Sequence, residues 1–166
     1  MKKLILVFLL AIIVSAGAFA ERPGGWGVGL VGQSNFAWDN FGQTSWWGVS
    51  LKAPQLPIYW GIHLRFQSGL FGMSVVGDYY FLEQVIVPDV NFGWFLGLGG
   101  NVSFWTYDGG SPSVFLGGRI PVGLYIMPVD FFEAFLNLAP TLGLHINPAS
   151  FPEGFLGFDF GVRFWF

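Results

Sequence analysis

The sequence predicts an all-β protein, an eight-stranded antiparallel transmembrane β-barrel preceded by a cleavable signal peptide. The composition is 53% hydrophobic and 20% aromatic but only 10% charged, whereas a soluble domain carries about 25% charged residues. Apolar residues alternate with small or polar ones at a period of two, which is typical of β-strands. Beyond residue 20, no apolar run reaches the ~18 residues that a membrane helix requires.

The first twenty residues have the pattern of a secretory signal peptide. Two lysines follow the initial methionine, residues 4–14 are almost unbroken in their apolar character, and small residues end the segment at Ala18 and Ala20. Cleavage is expected after Ala20. The alternative is an uncleaved membrane anchor, but the apolar run is shorter than the ~20 residues needed to span a bilayer. The predicted organisation is therefore a signal peptide at 1–20 and one barrel domain at 21–166.

Eight segments of the remaining chain show the strand alternation, the first two more weakly than the others. They lie near 26–33 and 45–52, and at 58–66, 71–81, 92–99, 116–126, 132–138 and 158–166. The third sets Ile58, Trp60, Ile62, Leu64 and Phe66 against Tyr59, Gly61, His63 and Arg65. The fourth and fifth oppose aromatic and branched residues to glycine, serine and Asp78. The last three place Arg119, Glu133 and Asp159 on the same, second face.

The residue types on this second face indicate which face points inward. It carries glycine, serine, asparagine and tyrosine with single charges, not the lysine, glutamate and threonine of a water-facing strand. Glycine packs nothing on an exposed strand, but it suits the crowded interior of an eight-stranded barrel. The apolar face is therefore predicted to face lipid, where a closed barrel satisfies every backbone polar group.

An even number of strands places both ends of the barrel chain on one side, predicted to be periplasmic. Turns are expected there at 53–57, 82–91 and 127–130, and outer loops at 34–44, 67–69, 106–113 and 145–154. Pro121 and Pro140 fall inside or at the ends of two predicted strands and are interpreted as bulges or strand ends, because proline cannot donate to the ladder. An aromatic girdle at the headgroups is expected near the outer loops. Its members would be Trp38, Trp46, Trp47, Trp105, Tyr107 and Phe151.

The chain ends in alternating apolar residues that close with Phe164, Trp165 and Phe166. This ending resembles the C-terminal signal by which bacterial outer-membrane barrels are recognised by their insertion machinery. The barrel region as a whole resembles small eight-stranded outer-membrane barrels of the OmpX/OmpA-transmembrane-domain kind. The C-terminal half is more similar to a family of uncharacterised spirochaete outer-membrane barrel domains. That resemblance is carried by FLGLGG at 95–100, GRIPVGL at 118–124, FEAFLNLAP at 132–140 and GVRFWF at 161–166.

The resemblance implies a fold and a membrane, and it implies no activity. The implied location is the bacterial outer membrane, reached through the periplasm. The implied partners are outer-membrane lipid and, during biogenesis, the barrel-insertion machinery. The pattern of the spirochaete family usually shows an acidic residue at the position where this chain has Asn137, so the resemblance carries over no role for that carboxylate.

Six charged residues fall on the predicted inward face, three of each sign: Arg65, Asp78, Arg119, Glu133, Asp159 and Arg163. A buried charge without a partner costs several kcal/mol. These residues are therefore expected to form a hydrogen-bonded lumen network, assisted by Tyr59, Tyr80, Asn101 and Tyr125. The favoured interpretation is a plugged lumen, because side chains fill the interior of an eight-stranded barrel. A polar pathway for ions or small solutes remains the alternative.

No catalytic, cofactor or metal site is predicted. The absence of cysteine excludes disulfides, thiol-ligated metals and thiol catalysis, and a net charge of −3 argues against a nucleic-acid partner. His63 and His145 are far apart, with no carboxylate at metal-ligand spacing. A lipid-modifying enzyme is conceivable from outer-loop residues, but their spacing does not require a triad. Those residues are Asp108, Ser111, Ser113, His145 and Ser150.

Three functions follow in order of preference. The first is a non-enzymatic integral outer-membrane protein, structural or surface-exposed, with a charge-paired and largely plugged lumen. The second is a narrow channel or transporter for small or hydrophobic solutes, suggested by aromatic residues near the outer end and glycine in the lumen. The third is a loop-borne adhesin or receptor using Asp39, Asp108 and Glu153, for which the sequence names no extracellular ligand.

Overall fold

The computed structural model describes residues 22–38, 43–108, 110–147 and 149–166, which form a single antiparallel sheet. Its strands are β1 Gly27–Ala37, β2 Gln43–Lys52, β3 Tyr59–Gln67, β4 Leu70–Val87, β5 Phe92–Tyr107, β6 Ser113–Arg119, β7 Val122–Val129, β8 Phe132–Ile146 and β9 Ala149–Trp165. A turn of 3₁₀ helix at Pro88–Val90 joins β4 to β5. The predicted signal peptide, with Ala18 and Ala20, lies outside the described residues.

The sheet closes on itself. β1 pairs with both β2 and β9, and β4 pairs with both β3 and β5. β6 and β7 lie end to end between β5 and β8, since each of them pairs with both neighbours. They therefore occupy one place in a ring of eight places. The predicted eight-stranded antiparallel barrel is confirmed.

The structure confirms the prediction for one of the two prolines, Pro121, and contradicts it for the other, Pro140. Pro121 lies in the break between β6 and β7, so its prediction as a strand end is confirmed. Pro140 lies inside β8 with no register shift beside it, so the same prediction is wrong there. Its carbonyl accepts a hydrogen bond of 3.1 Å from the Ile120 N–H. The N–H and C=O of one residue in an antiparallel strand point to the same neighbour, so the donor that Pro140 lacks would face the existing break.

Several strands extend further than the alternation predicted. β4 continues to Val87, with two register shifts, through most of the segment predicted as a turn at 82–91. The predicted outer loop at 145–154 is also wrong, because β8 continues to Ile146 and β9 begins at Ala149. Ladder hydrogen bonds continue here past the point where the regular alternation of side chains has stopped.

The two faces of the sheet have the predicted polarity. Leu30 and Leu98 point outward and are 66% and 56% exposed. The buried polar and charged side chains point inward, among them Ser50, His63, Ser74, Asp78, Asn101, Ser103, Arg119, Glu133, Asn137, Thr141, Asp159 and Arg163. Glycine is not confined to the lumen, because Gly100 and Gly118 lie on the exposed outward face. In the part of the chain that the structure describes, no helix has the length and apolarity needed to cross a membrane.

The barrel has two distinct ends. The lower end holds the paired residues Trp26 and Phe166 and the turns at 53–58, 88–91 and 130–131. The upper end holds the connections at 38–42, 68–69, 108–112 and 147–148, of which 39–42, 109 and 148 are outside the described residues. The lower end corresponds to the predicted periplasmic side.

Candidate functional site

The central cluster consists of Asp78, Arg119 and Asp159, and it crosses the full width of the lumen. Arg119 Nε lies 3.2 Å from Asp78 Oδ1, and its guanidinium also pairs with the Asp159 carboxylate. β4, which carries Asp78, and β9, which carries Asp159, are four places apart in the ring of eight. The single guanidinium of Arg119 therefore links opposite walls of the barrel.

The local sequence explains how three charged side chains fit in one layer. Arg119 is the last residue of β6, beside the break at Pro121. Gly99 stands next to both Asp78 and Arg119 in the register of the sheet. A Cβ at Gly99 would collide with the Asp78 carboxylate, so glycine leaves the space that this carboxylate occupies.

The lower cluster lies between the central cluster and the lower end, around Glu133. The Glu133 carboxylate accepts hydrogen bonds of 2.8 Å from Arg163 and 3.0 Å from the Trp165 indole. Arg22 Nη1 lies 3.2 Å from its other oxygen, and Arg22 Nε lies 3.5 Å from Glu83 Oε2. Arg163 also donates to the Ser50 hydroxyl at 2.8 Å. All of these side chains except Glu83 are almost fully buried.

Arg22 and Glu83 are the charged lumen residues that the sequence analysis missed. Arg22 precedes β1 and belongs to no alternating segment, so strand periodicity carries no information about it. Glu83 follows the register shift between Tyr80 and Leu82, which reverses the parity of the strand. The only sequence signal was an unassigned arginine close before the first strand.

Of the six charged residues predicted to form the network, Arg65 is the one that the structure places away from both clusters. It lies near the upper end, donates a 2.8 Å hydrogen bond to Gln67 and sits 5.9 Å from the Trp46 ring. Between it and the central cluster lies a neutral polar group, in which Ser103 donates to Asn101 at 2.7 Å and Asn101 to Ser74 at 3.2 Å.

The upper mouth of the barrel holds a cavity of about 280 Å³. Its lining includes Arg65, Glu153 and aromatic side chains, notably Trp46, Trp105, Phe115 and Phe155. The expected aromatic girdle is therefore partly wrong, because Trp46 is buried on the inward face, and Trp105 and Tyr107 line this cavity. Trp46 and Trp47 are adjacent in one strand, and adjacent strand residues point to opposite faces. Trp38, Trp47, Tyr107 and Phe151 are exposed at this end.

The residues considered for a lipid-modifying enzyme have other contacts. His145 Nδ1 lies 3.3 Å from Glu153 Oε2, and the His145 ring packs on Trp105 with centroids 4.9 Å apart. Ser113 donates to the backbone carbonyl of Asn147 at 2.7 Å. Among the described residues, no group of three or more histidine, cysteine, aspartate or glutamate side chains is placed to hold a metal ion.

No family model and no curated protein sequence matches the chain. Solved structures do match it. The N-terminal β-barrel domain of Pseudomonas aeruginosa OprF is 18% identical, with a TM-score of 0.57, over 88% of this chain and 100% of that chain. This chain has the fold of a small outer-membrane β-barrel. At such an identity the likeness shows the fold alone.

Two further barrels have the same fold. Neisserial surface protein A is 13% identical, with a TM-score of 0.52, over 89% of this chain and 100% of that chain. Ail, the attachment invasion locus protein of Yersinia pestis, is 13% identical, with a TM-score of 0.51, over 86% of this chain and 97% of that chain. The general resemblance to OmpX/OmpA-like barrels is thus confirmed, whereas the resemblance to the spirochaete family stays a prediction.

Proposed function

We propose that this chain is an integral outer-membrane protein with a structural role, a rigid barrel whose lumen is closed by paired charges and which catalyses no reaction. The observation that carries the proposal is the central cluster, in which Arg119 joins Asp78 to Asp159 across the lumen. A solute passing along the axis would have to separate buried ion pairs, which costs about 3–5 kcal/mol when one partner is lost.

The lower cluster supports the same conclusion, because it places a second layer of charge beneath the first. Arg22 and Arg163 both contact the buried Glu133 carboxylate. The interior of an eight-stranded barrel is only wide enough for its own side chains. Two layers of paired charges in such an interior favour a barrel that does not conduct.

The outward face supports residence in a bacterial outer membrane, reached through the periplasm after loss of the signal peptide. Exposed apolar side chains extend around the ring, and exposed aromatic residues at the upper end suit the headgroup region. Lipid is then the principal partner. Phe164 and Phe166 are exposed on this face while Trp165 is buried, so two of the three residues of the proposed insertion signal are accessible to the insertion machinery.

Single-channel recording tests the closed lumen. The full chain is exported in a bacterial host, purified from the outer membrane, checked for a gel-mobility shift on boiling, and added to planar bilayers. The wild type is expected to give no stable openings, and Arg119→Ala is expected to give openings because the bridge across the lumen is lost. Arg65→Ala, which removes a charge outside both clusters, is the matched control and should be silent. Stable openings of the wild type would contradict the proposal and favour a channel.

A second candidate function is binding or transport of a small amphipathic solute, favoured by the cavity at the upper mouth. Its aromatic lining and the charged ends of Arg65 and Glu153 suit a molecule with an apolar body and a polar end. Mass spectrometry of the purified barrel would show such a solute by its loss on Trp105→Ala. The adhesin alternative has less support, because Ile146 of β8 pairs with Ala149 of β9 and only two residues of sequence separate these strands.

A further inference from the structure

The Arg22 guanidinium sits inside a cage of four aromatic rings at the lower end of the lumen. Its central carbon lies 4.3 Å from the Tyr125 ring centroid, 5.0 Å from Tyr59, 5.1 Å from Phe95 and 5.3 Å from Tyr80. All four distances are within the ~6 Å over which an aromatic face attracts a cation. The Arg22 side chain is only 4% exposed.

The cage is built from side chains of the barrel strands, and three of its four rings also stack on one another. Tyr59 stacks on Tyr80 with centroids 4.4 Å apart, and Tyr80 stacks on Phe95 at 4.2 Å. These rings come from β3, β4 and β5, and Tyr125 comes from β7. A Cβ at Gly93 would lie 2.5 Å from the Tyr125 hydroxyl, so the neighbouring strand leaves room for that ring.

Arg22 is held by charge and ring contacts and not by directed hydrogen bonds. Its nitrogens lie 3.2 Å from Glu133 and 3.5 Å from Glu83, yet among the described residues none of them makes a hydrogen bond of good geometry. The Tyr125 hydroxyl is buried and likewise has no hydrogen-bond partner there. Such a site recognises a cation in an aromatic box, and it sets few directional demands on that cation.

Arg22 is also joined to the barrel by a short tether. Pro23, Gly24 and Gly25 separate it from Trp26, whose backbone pairs with Phe166 at 3.0 and 2.8 Å. β1 begins only at Gly27. The tether therefore contributes no strand pairing of its own that would have to break if the Arg22 side chain left the cage.

Removal of Arg22 would leave a cage with excess negative charge. Glu83 and Glu133 would remain, and Arg163 would be the one buried cation beside them in the described part of the chain. Lys52 lies at the rim, where its ammonium donates to the carbonyls of Ala53 and Leu56. A free cation with an apolar outline would thus be attracted by both charge and ring faces.

We propose that this cage is a binding site for a small organic cation, a monoalkyl guanidinium or methylated ammonium, and that Arg22 is its built-in competing occupant. A tethered occupant acts at an effective concentration in the millimolar range for a short flexible linker. A free ligand therefore binds the wild type weakly and binds more tightly when Arg22 is absent. The site lies at the predicted periplasmic side, so it would sample periplasmic solutes.

Methylguanidinium tests the proposal, with thermal unfolding of the full chain in detergent followed by the gel-mobility shift on boiling. At constant ionic strength, the ligand is expected to raise the unfolding midpoint of Arg22→Ala at concentrations about tenfold lower than those needed for the wild type. Tetramethylammonium is expected to act similarly, and urea, the neutral analogue of guanidinium, should have no effect in the same range. Arg65→Ala loses one positive charge outside the cage and should respond as the wild type does.

Equal responses of the wild type and Arg22→Ala, or an equal effect of urea, would overturn the proposal. Tyr125→Leu in the Arg22→Ala background removes the nearest ring and should abolish the response. A response that persists in this double variant would also overturn the proposal. If Arg22→Ala does not fold, Arg22→Lys keeps a charge beside Glu83 and Glu133, and methylguanidinium should stabilise it at lower concentration than the wild type. If the same concentration of methylguanidinium stabilised Arg22→Lys and the wild type, the proposal of a cation-binding cage would be contradicted.

Discussion

Arg119 is the one positive charge of the central cluster. It is fully buried, and its guanidinium compensates two buried carboxylates, on Asp78 and Asp159. Coulomb attraction inside a protein is offset by the desolvation of each ion, so the intact cluster contributes little net stability. Loss of one partner has a different effect, because the remaining charges keep the desolvation penalty without the attraction.

Arg119→Ala is therefore expected to lower the free energy of unfolding by about 3–5 kcal/mol. Urea unfolding in lipid vesicles, followed by tryptophan fluorescence, measures the change. Arg65→Ala serves as the control and should cost less than about 1 kcal/mol, because Arg65 is partly exposed and outside the clusters. A triple variant that also carries Asp78→Asn and Asp159→Asn should recover part of the loss, because no charge is then left unpaired. An unchanged stability of Arg119→Ala would contradict the network.

At the scale of single residues, strand periodicity predicted the lumen charges only where the strands were regular. Asp78, Arg119, Glu133, Asp159 and Arg163 are all buried on the lumen side. Which of them pair could not be predicted, because the pairing depends on the shear of the barrel and on β4 and β9 being opposite walls. Two lumen residues were not predicted, each for a local reason. Arg22 precedes the strands, and Glu83 follows a register shift that changes which alternate positions of β4 face inward.

At the scale of elements, strand identity followed from the alternation and strand ends did not. Eight alternating segments correspond to the eight places of the ring, yet β4 and β9 run well beyond their predicted ends. The alternation of residue types shows where one face of a strand contacts lipid and the other faces the lumen. The backbone hydrogen bonds of a strand continue beyond that region wherever a neighbouring strand supplies partners. Pro140 shows the same limit, because the sequence does not reveal that its missing donor faces a break in the next strand.

Strand β5 offers a direct test of its two faces, because Gly99 and Gly100 are adjacent and point in opposite directions. Gly99→Ala is expected to lower the free energy of unfolding by about 1–3 kcal/mol, the usual cost of overpacking, since its Cβ would collide with the Asp78 carboxylate. Gly100→Ala should be neutral or slightly stabilising, because the nearest atom to its Cβ is 3.8 Å away. Urea unfolding of the two variants in parallel makes the comparison. Equal costs would contradict the assignment of the faces.

At the scale of the whole molecule, the barrel reverses the usual arrangement of polarity, with charges inside and apolar side chains outside. A water-soluble barrel with this outward face would expose large contiguous apolar patches, which soluble monomers rarely do. The same face is stable against hydrocarbon, where ring closure removes the unpaired edge strands of an open sheet. The apolar outward face and the closure of the ring thus have one explanation, which is that lipid surrounds the middle of the barrel.

That explanation predicts that an outward charge is penalised according to its depth. Leu98, in the middle of β5, and Phe66, at the upper end of β3, both point outward and are 56% and 74% exposed, so accessibility alone does not predict a larger cost at Leu98. Leu98→Arg is expected to lower the free energy of unfolding in lipid vesicles by about 2–4 kcal/mol, and Phe66→Arg by about 0–1 kcal/mol. Parallel urea titrations measure the two costs. A barrel surrounded by water would tolerate both substitutions, so equally small costs would argue against a membrane around the barrel, whereas a graded cost places the middle of β5 in hydrocarbon and the upper end of β3 at the headgroups.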